Sequence, residues 1–141
     1  MIERILFVVV WIFFSTPFLR AASPEVDVKL IRVELQASLD GYKTTQIDLD
    51  RNNDGKTDHI LLLDEKGQKL FEELDYNFDL QMDDFCLYEK GVLVKELIDT
   101  NFDGKIDMWV YIQNGVYIER YERDTDFNGI IDKVKQFGQK K

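Results

Sequence analysis

The residues best placed to do chemistry lie in the stretch Asp99-Thr-Asn-Phe-Asp-Gly-Lys-Ile-Asp107. Acidic or amide side chains stand at its first, third, fifth and ninth places, and Gly104 stands at the sixth. A hard cation such as Ca²⁺ takes six to eight oxygens at roughly 2.3–2.6 Å, and alternate residues of a tightly curled loop can all aim inward at one point. The stretch is spelled like a calcium cradle. Asp99, Asn101, Asp103 and Asp107 supply side-chain oxygens, Lys105 a carbonyl oxygen, and Gly104 the sharp turn that a side chain would hinder.

The pattern occurs four times. Asp50, Asn52, Asp54 and Asp58 form the first copy, Asp75, Asn77, Asp79 and Asp83 the second, the Asp99 stretch the third, and Asp124, Asp126, Asn128 and Asp132 the fourth. Their first residues are 25, 24 and 25 positions apart, the mark of one supersecondary unit copied along the chain. The second copy departs from the rest, with Leu80 where glycine is wanted, which predicts backbone strain and weaker metal binding.

The segments between the loops must position them. They are short, rich in Val, Ile, Leu and aromatic residues, and broken by the glycine turns Lys66-Gly67, Lys90-Gly91 and Asn114-Gly115. Strands are expected at 59–64, 69–74, 85–89, 92–98, 108–113, 116–123 and 131–137. Residues 26–34 alternate, and Asp40-Gly41 is a turn signal, so a further hairpin is expected at the start, its second strand over about 42–49. The fold class is therefore all-β: an antiparallel meander of about nine strands built from 24–25-residue hairpin repeats, as a curled sheet or barrel. Its loops would lie along one rim at roughly 10 Å intervals. Trp109, Tyr111 and Tyr121 are candidate surface aromatics. At the fourth place of the loops, Phe78, Phe102 and Phe127 each offer an aromatic that could stack on the next.

The chain begins differently. A charged lead, Met1 to Arg4, precedes an unbroken apolar run from Ile5 to Phe14 and the breaker Ser15-Thr-Pro17. That order predicts a secretory signal peptide over residues 1–21 and a single β-repeat domain over 22–141. The protein is then periplasmic or secreted, with no stable membrane insertion of the mature chain. The single cysteine, Cys86, excludes an internal disulfide.

The whole chain carries −9, and loss of one acid and two bases with the leader brings it to −10. The four loops hold twelve aspartates against one arginine and two lysines, so nearly all the net acidity sits in them. Such acidity excludes nucleic acid as a partner, which needs a basic patch. Carboxylates crowded in every loop also oppose folding unless a cation joins them, so metal binding and folding should be coupled. His59, the one histidine, stands beside the first loop with no evident carboxylate partner, and is expected to be structural.

The DxNxDGxxD spelling resembles the calcium loops of bacterial EF-hand-like repeat proteins, dockerins and thrombospondin type 3 repeats. Its setting between two strands, with aspartate at the ninth place, is most similar to the hairpin loops of integrin-type FG-GAP repeats. That resemblance implies side-chain ligands at the first, third, fifth and ninth places. It implies a carbonyl ligand at the seventh, adding Lys56 and Ile130 to Lys105. A 25-residue unit is too short for a propeller blade, and the twelfth places, Leu61, Cys86, Val110 and Lys135, lack the glutamate of an EF-hand. The expected function is a calcium-stabilised structural or binding module without catalytic activity, its further partner an unidentified protein or carbohydrate. The alternative is a calcium-dependent hydrolase or lyase whose loop-bound ion holds an anionic substrate.

Overall fold

A computed structural model describes residues 26–41 and 43–138. The leader expected over 1–21 lies outside the described residues. One helix, α1 (Val28–Ser38), precedes eight strands: β1 (Thr45–Leu49), β2 (His59–Leu63), β3 (Lys69–Leu74), β4 (Asp84–Glu89), β5 (Val92–Ile98), β6 (Met108–Gln113), β7 (Tyr117–Arg123) and β8 (Lys133–Gln136). All eight form one antiparallel sheet in chain order, and it stays open, with β1 and β8 as its edges. The meander is as expected, while the barrel alternative is not adopted.

The main departure is at the start, where the expected strand over 26–34 is helix α1. Its alternation of Val26, Val28 and Leu30 coincides with a helical stripe, Val28, Ile31 and Leu35, and only the second set is buried. Asp27 caps the helix, its side chain accepting from the Lys29 amide at 2.8 Å. Residues 26–28 instead bridge to the third loop, through Val28 N–H to the Gly104 carbonyl and Ile106 N–H to the Val26 carbonyl. Asp40-Gly41 accordingly turns the chain from the helix into β1 rather than closing a hairpin.

Lys90-Gly91 and Asn114-Gly115 both adopt positive φ at their two central residues, as two-residue hairpin turns of this twist require. In each turn-linked pair the register then slips by one residue. The partner jumps from Phe71 to Lys69 across β2 and β3, from Lys95 to Leu93 across β4 and β5, and from Arg120 to Ile118 across β6 and β7. The extra residues are Leu70, Val94 and Glu119. A bulge bends and twists its strand, so the same bend recurs once per repeat.

One sheet face carries Phe71, Leu87 and Tyr111 on one rung and Phe85, Leu97 and Trp109 on the next, and α1 packs on these to form the core. Trp109 and Tyr111, expected at the surface, are thus under the helix, because it chooses the face that a nine-strand meander would have left open. Arg32 of α1 pairs with the buried Glu73 at 3.1 Å. The opposite face bears Ile47, Leu61, Glu72, Cys86, Glu96, Val110 and Tyr121. Among the described residues no helix is long and apolar enough to cross a membrane.

Lys95 enters the core face at 2% exposure, its ammonium 4.8 Å from the Tyr111 ring centroid. Burial pulls its pKa from 10.5 to about 7, against the attraction of Glu122. The unfolded chain therefore holds this proton more tightly between those values, and the Lys95 contribution to stability must rise with pH across that window. Denaturation midpoints measured from pH 7 to 10 should show that rise, and Lys95→Met should remove the slope. Leu97→Ala, at a fully buried position, should cost about 2–5 kcal/mol, against under about 0.5 for Val134→Ala at the exposed edge.

Candidate metal centre

Each of the four loops joins two strands at the same sheet edge: β1 to β2, β3 to β4, β5 to β6, and β7 to β8. Their backbones repeat. The fourth place has φ near +60° in all four (Asn53, Phe78, Phe102, Phe127), and the sixth has φ of 79–85° (Gly55, Leu80, Gly104, Gly129). Leu80 therefore takes the conformation that its glycine counterparts take, at a steric cost of about 1–2 kcal/mol.

Hydrogen bonds explain why these bends are enforced. The first-place carboxylate accepts from the sixth-place amide: Asp50 from Gly55 at 2.8 Å, Asp75 from Leu80 at 2.8 Å, Asp99 from Gly104 at 2.7 Å and Asp124 from Gly129 at 2.6 Å. Asn52, Asn77 and Asn101 accept from the fifth-place amides. The fifth-place oxygens of Asp54, Asp79, Asp103 and Asn128 accept in turn from the amides of Lys56, Gln81, Lys105 and Ile130. The ninth-place carboxylates of Asp58, Asp83, Asp107 and Asp132 reach back to the second-place amides. Backbone N–H groups thus gather the side-chain oxygens of every predicted ligand place except Asp126.

Asp126 joins its loop differently. Asp124, Asp126 and Asp132 each bring a carboxylate oxygen within 4.8 Å of the others, a grouping that could hold a metal ion. At this third place the other loops carry an amide instead. In loops two and three the first- and ninth-place aspartates, Asp75, Asp83, Asp99 and Asp107, are all buried. Asp83 is raised in pKa by burial and by the charges of Asp75 and Asp79, against the bonds from Tyr76 and Asn77. Asp107 is raised by burial and by Asp99, against the bonds from Thr100. Asp132, in the last loop, is instead lowered by the Thr125 hydroxyl and amide. Asp50 and Asp132 are exposed because each belongs to a loop with a neighbour on one side only.

The second place was not anticipated. Thr100 donates its hydroxyl to Asp107 at 2.7 Å, Thr125 to Asp132 at 2.5 Å, and Arg51 its Nε to Asp58 at 3.0 Å, so this residue locks the ninth carboxylate. The recurrence of threonine at 100 and 125 was the available signal. Arg51 also donates to the Asp75 carbonyl at 2.7 Å and lies 5.6 Å from the Phe78 ring centroid. Phe78 therefore leans on the preceding loop through Arg51, and not on the next loop as expected. Backbone bonds complete the stitching, from the Asp75, Asp99 and Asp124 amides to the Asp58, Asp83 and Asp107 carbonyls at 2.8–2.9 Å.

His59 does have a carboxylate partner: its Nε2 lies 2.7 Å from Glu72 Oε1. The expectation of none fails because Glu72 is thirteen residues away and meets it only through the β2–β3 register. Lys69 and Tyr88 donate to the other Glu72 oxygen at 2.8 and 2.6 Å. Burial opposes ionisation of Glu72, and these three partners outweigh it, leaving its pKa below the usual value. Cys86 is a buried residue of β4, with burial pushing its thiol up.

No protein-family model matches the chain, and no curated protein matches it. A solved structure similar to it is that described as "Crystal Structure of TarM", at 13% identity and a TM-score of 0.38. The likeness covers 92% of this chain and 25% of that one, so the chain spans about a quarter of TarM's length.

If the first-place aspartate organises its loop without metal, Asp99→Ala should destabilise the protein by about 1–3 kcal/mol even in chelator, since two part-buried amide bonds lose their acceptor. Asp126→Asn, the residue type the other loops carry, should stay within about 0.5 kcal/mol. Chemical denaturation of both variants checks the contrast.

Proposed function

We propose that this chain is an exported calcium-binding β-repeat protein, a structural or binding module of the periplasm or exterior whose fold the ion stabilises. The observation that carries this is the fourfold recurrence of one oxygen-lined bend, with three carboxylates converging in the last copy. Oxygen donors alone, on a loop that presents alternate residues inward, suit a hard cation, and Ca²⁺ accepts the irregular geometry better than Mg²⁺. Asp50, Asn52, Asp54 and Asp58, and their counterparts in the other loops, would hold it. The carbonyls of Lys56, Lys105 and Ile130 would complete the sets. Affinity in the extracellular range, about 10⁻⁴–10⁻³ M, would keep the sites filled outside the cell, so that calcium acts as a fixture and not a signal.

The catalytic alternative needs a general base beside an ion. The His59–Glu72 pair is the one observation in its favour, and Glu72 is already held by Lys69 and Tyr88 in a network that reads as structural. The module reading therefore stands ahead.

Calorimetric titration should show three to four bound calcium ions, and the melting temperature should rise with calcium and fall in chelator. Asp103→Ala combined with Asp107→Ala should remove about one ion, while Leu80→Gly should tighten the second loop. Identical melting in excess calcium and excess chelator, with no heat of binding, would sink the proposal.

A further inference from the structure

We propose that the outer edge of β1 is an interface between two copies of this chain, pairing antiparallel with its own counterpart about a two-fold axis through Ile47. Among the described residues nothing pairs with that edge, and all five residues of β1 are exposed. Edge strands are usually blunted by lysine, proline or a bulge. The far edge follows that rule, for β8 sets Lys133 and Lys135 on either side of Val134. β1 does not: it reads Thr-Gln-Ile-Asp-Leu, with no basic residue or proline and an unbroken register to β2.

Asp75 N–H donates to the Asp58 carbonyl, so hydrogen-bonded pairing with β3 continues at Ile60 and Leu62, and His59, Leu61 and Leu63 turn their amides toward β1. Their partners Leu49, Ile47 and Thr45 therefore face inward, which leaves the N–H and C=O of Gln46 and Asp48 pointing out. A two-fold through Ile47 sets Gln46 opposite Asp48 of the second copy, twice. The outward groups thus meet each other, and the strand is self-complementary.

Side chains agree with the backbone. Gln46 Nε2 already donates to Asp48 Oδ1 at 2.7 Å along the strand, and the same donor and acceptor would face each other across the axis. On the other face Ile47 would meet Ile47 in the close, non-hydrogen-bonded position, and Thr45 would meet Leu49. Ile47 and Leu49 are each 39% exposed, and Ile47 lies beside Leu61, so pairing joins two apolar stripes.

The other edge pairings are poor. A two-fold through Val134 sets Lys133 opposite Lys135, two like charges. Continuing the repeat head to tail sets Lys133 beside Leu49 and Lys135 beside Ile47, with no carboxylate opposite either. The isologous β1 pairing alone matches hydrogen bonds and side chains together. It would merge two eight-stranded sheets into one, with both α1 helices on one face and the aspartate rims on opposite edges.

The test is the mass in solution of the full chain as the producing cell accumulates it, by sedimentation and light scattering. Two copies are expected for the parent and one for Ile47→Lys, which apposes like charges at the axis, with Val134→Lys remaining at two. Under mild oxidation Ile47→Cys should form a disulfide-linked dimer, since its Cα spacing across the axis suits one, and Val134→Cys should not. Because association follows protomer concentration, a parent that stays a single copy at about 100 µM overturns the proposal. So does an Ile47→Lys protein that keeps two copies, or equal cross-linking at both positions.

Discussion

The structure depends on how twelve aspartates can be held along one sheet edge without driving it apart. Like charges at these separations raise one another's pKa and oppose the compact state. The loops answer with their own backbone. Each bend turns its N–H groups inward, so that Asp99, for instance, receives the Asp103 and Gly104 amides on its two oxygens before any cation is considered. Inward-turned N–H groups are partial positive charges, so the bend itself offsets part of the repulsion. Positive φ at the fourth and sixth places is the geometric cost of that inward turn, and Leu80 shows that the loop imposes it even on a residue that resists.

The sheet supplies the second half of the arrangement. The bonds from Asp75, Asp99 and Asp124 to the carbonyls of Asp58, Asp83 and Asp107 continue the strand ladders into the rim and tie each loop to the one before it. At the other end of each hairpin a bulge recurs at Leu70, Val94 and Glu119, with the same period of 24 and 25 residues. Ladder and bulge thus recur with the period of the loops, as expected of one unit copied along the chain.

Much of this was legible in the residues. The loops were, because ligand places, glycine and period all had to agree, and four copies leave little room for accident. The strands over 69–74, 92–98 and 108–113 match in both bounds, since each is closed by a turn or by a loop aspartate. The start of the chain was not legible. Val26, Val28 and Leu30 alternate as a strand would, and what separates a strand from a helix there is which residues are buried, a property set by the sheet and not by the segment. The helix then reversed the reading of Trp109 and Tyr111. The bulges and the His59–Glu72 pair escaped for a related reason, as both are facts about register between strands that no single strand carries.

Position within the meander finally makes equivalent loops unequal. One helix covers the middle of the sheet, and the fully buried side chains Phe71, Phe85 and Leu97 all lie on β3, β4 and β5. At the ends, β1 and β8 are exposed throughout. The loops follow the same gradient: both terminal aspartates are buried in the second and third, while Asp50 in the first and Asp132 in the fourth are open to water. Water screens charge at the ends and leaves it strong in the middle, so the carboxylates of the middle loops repel one another most. The loop with the poorest spelling, that of Leu80, thus sits where the surrounding structure constrains it best.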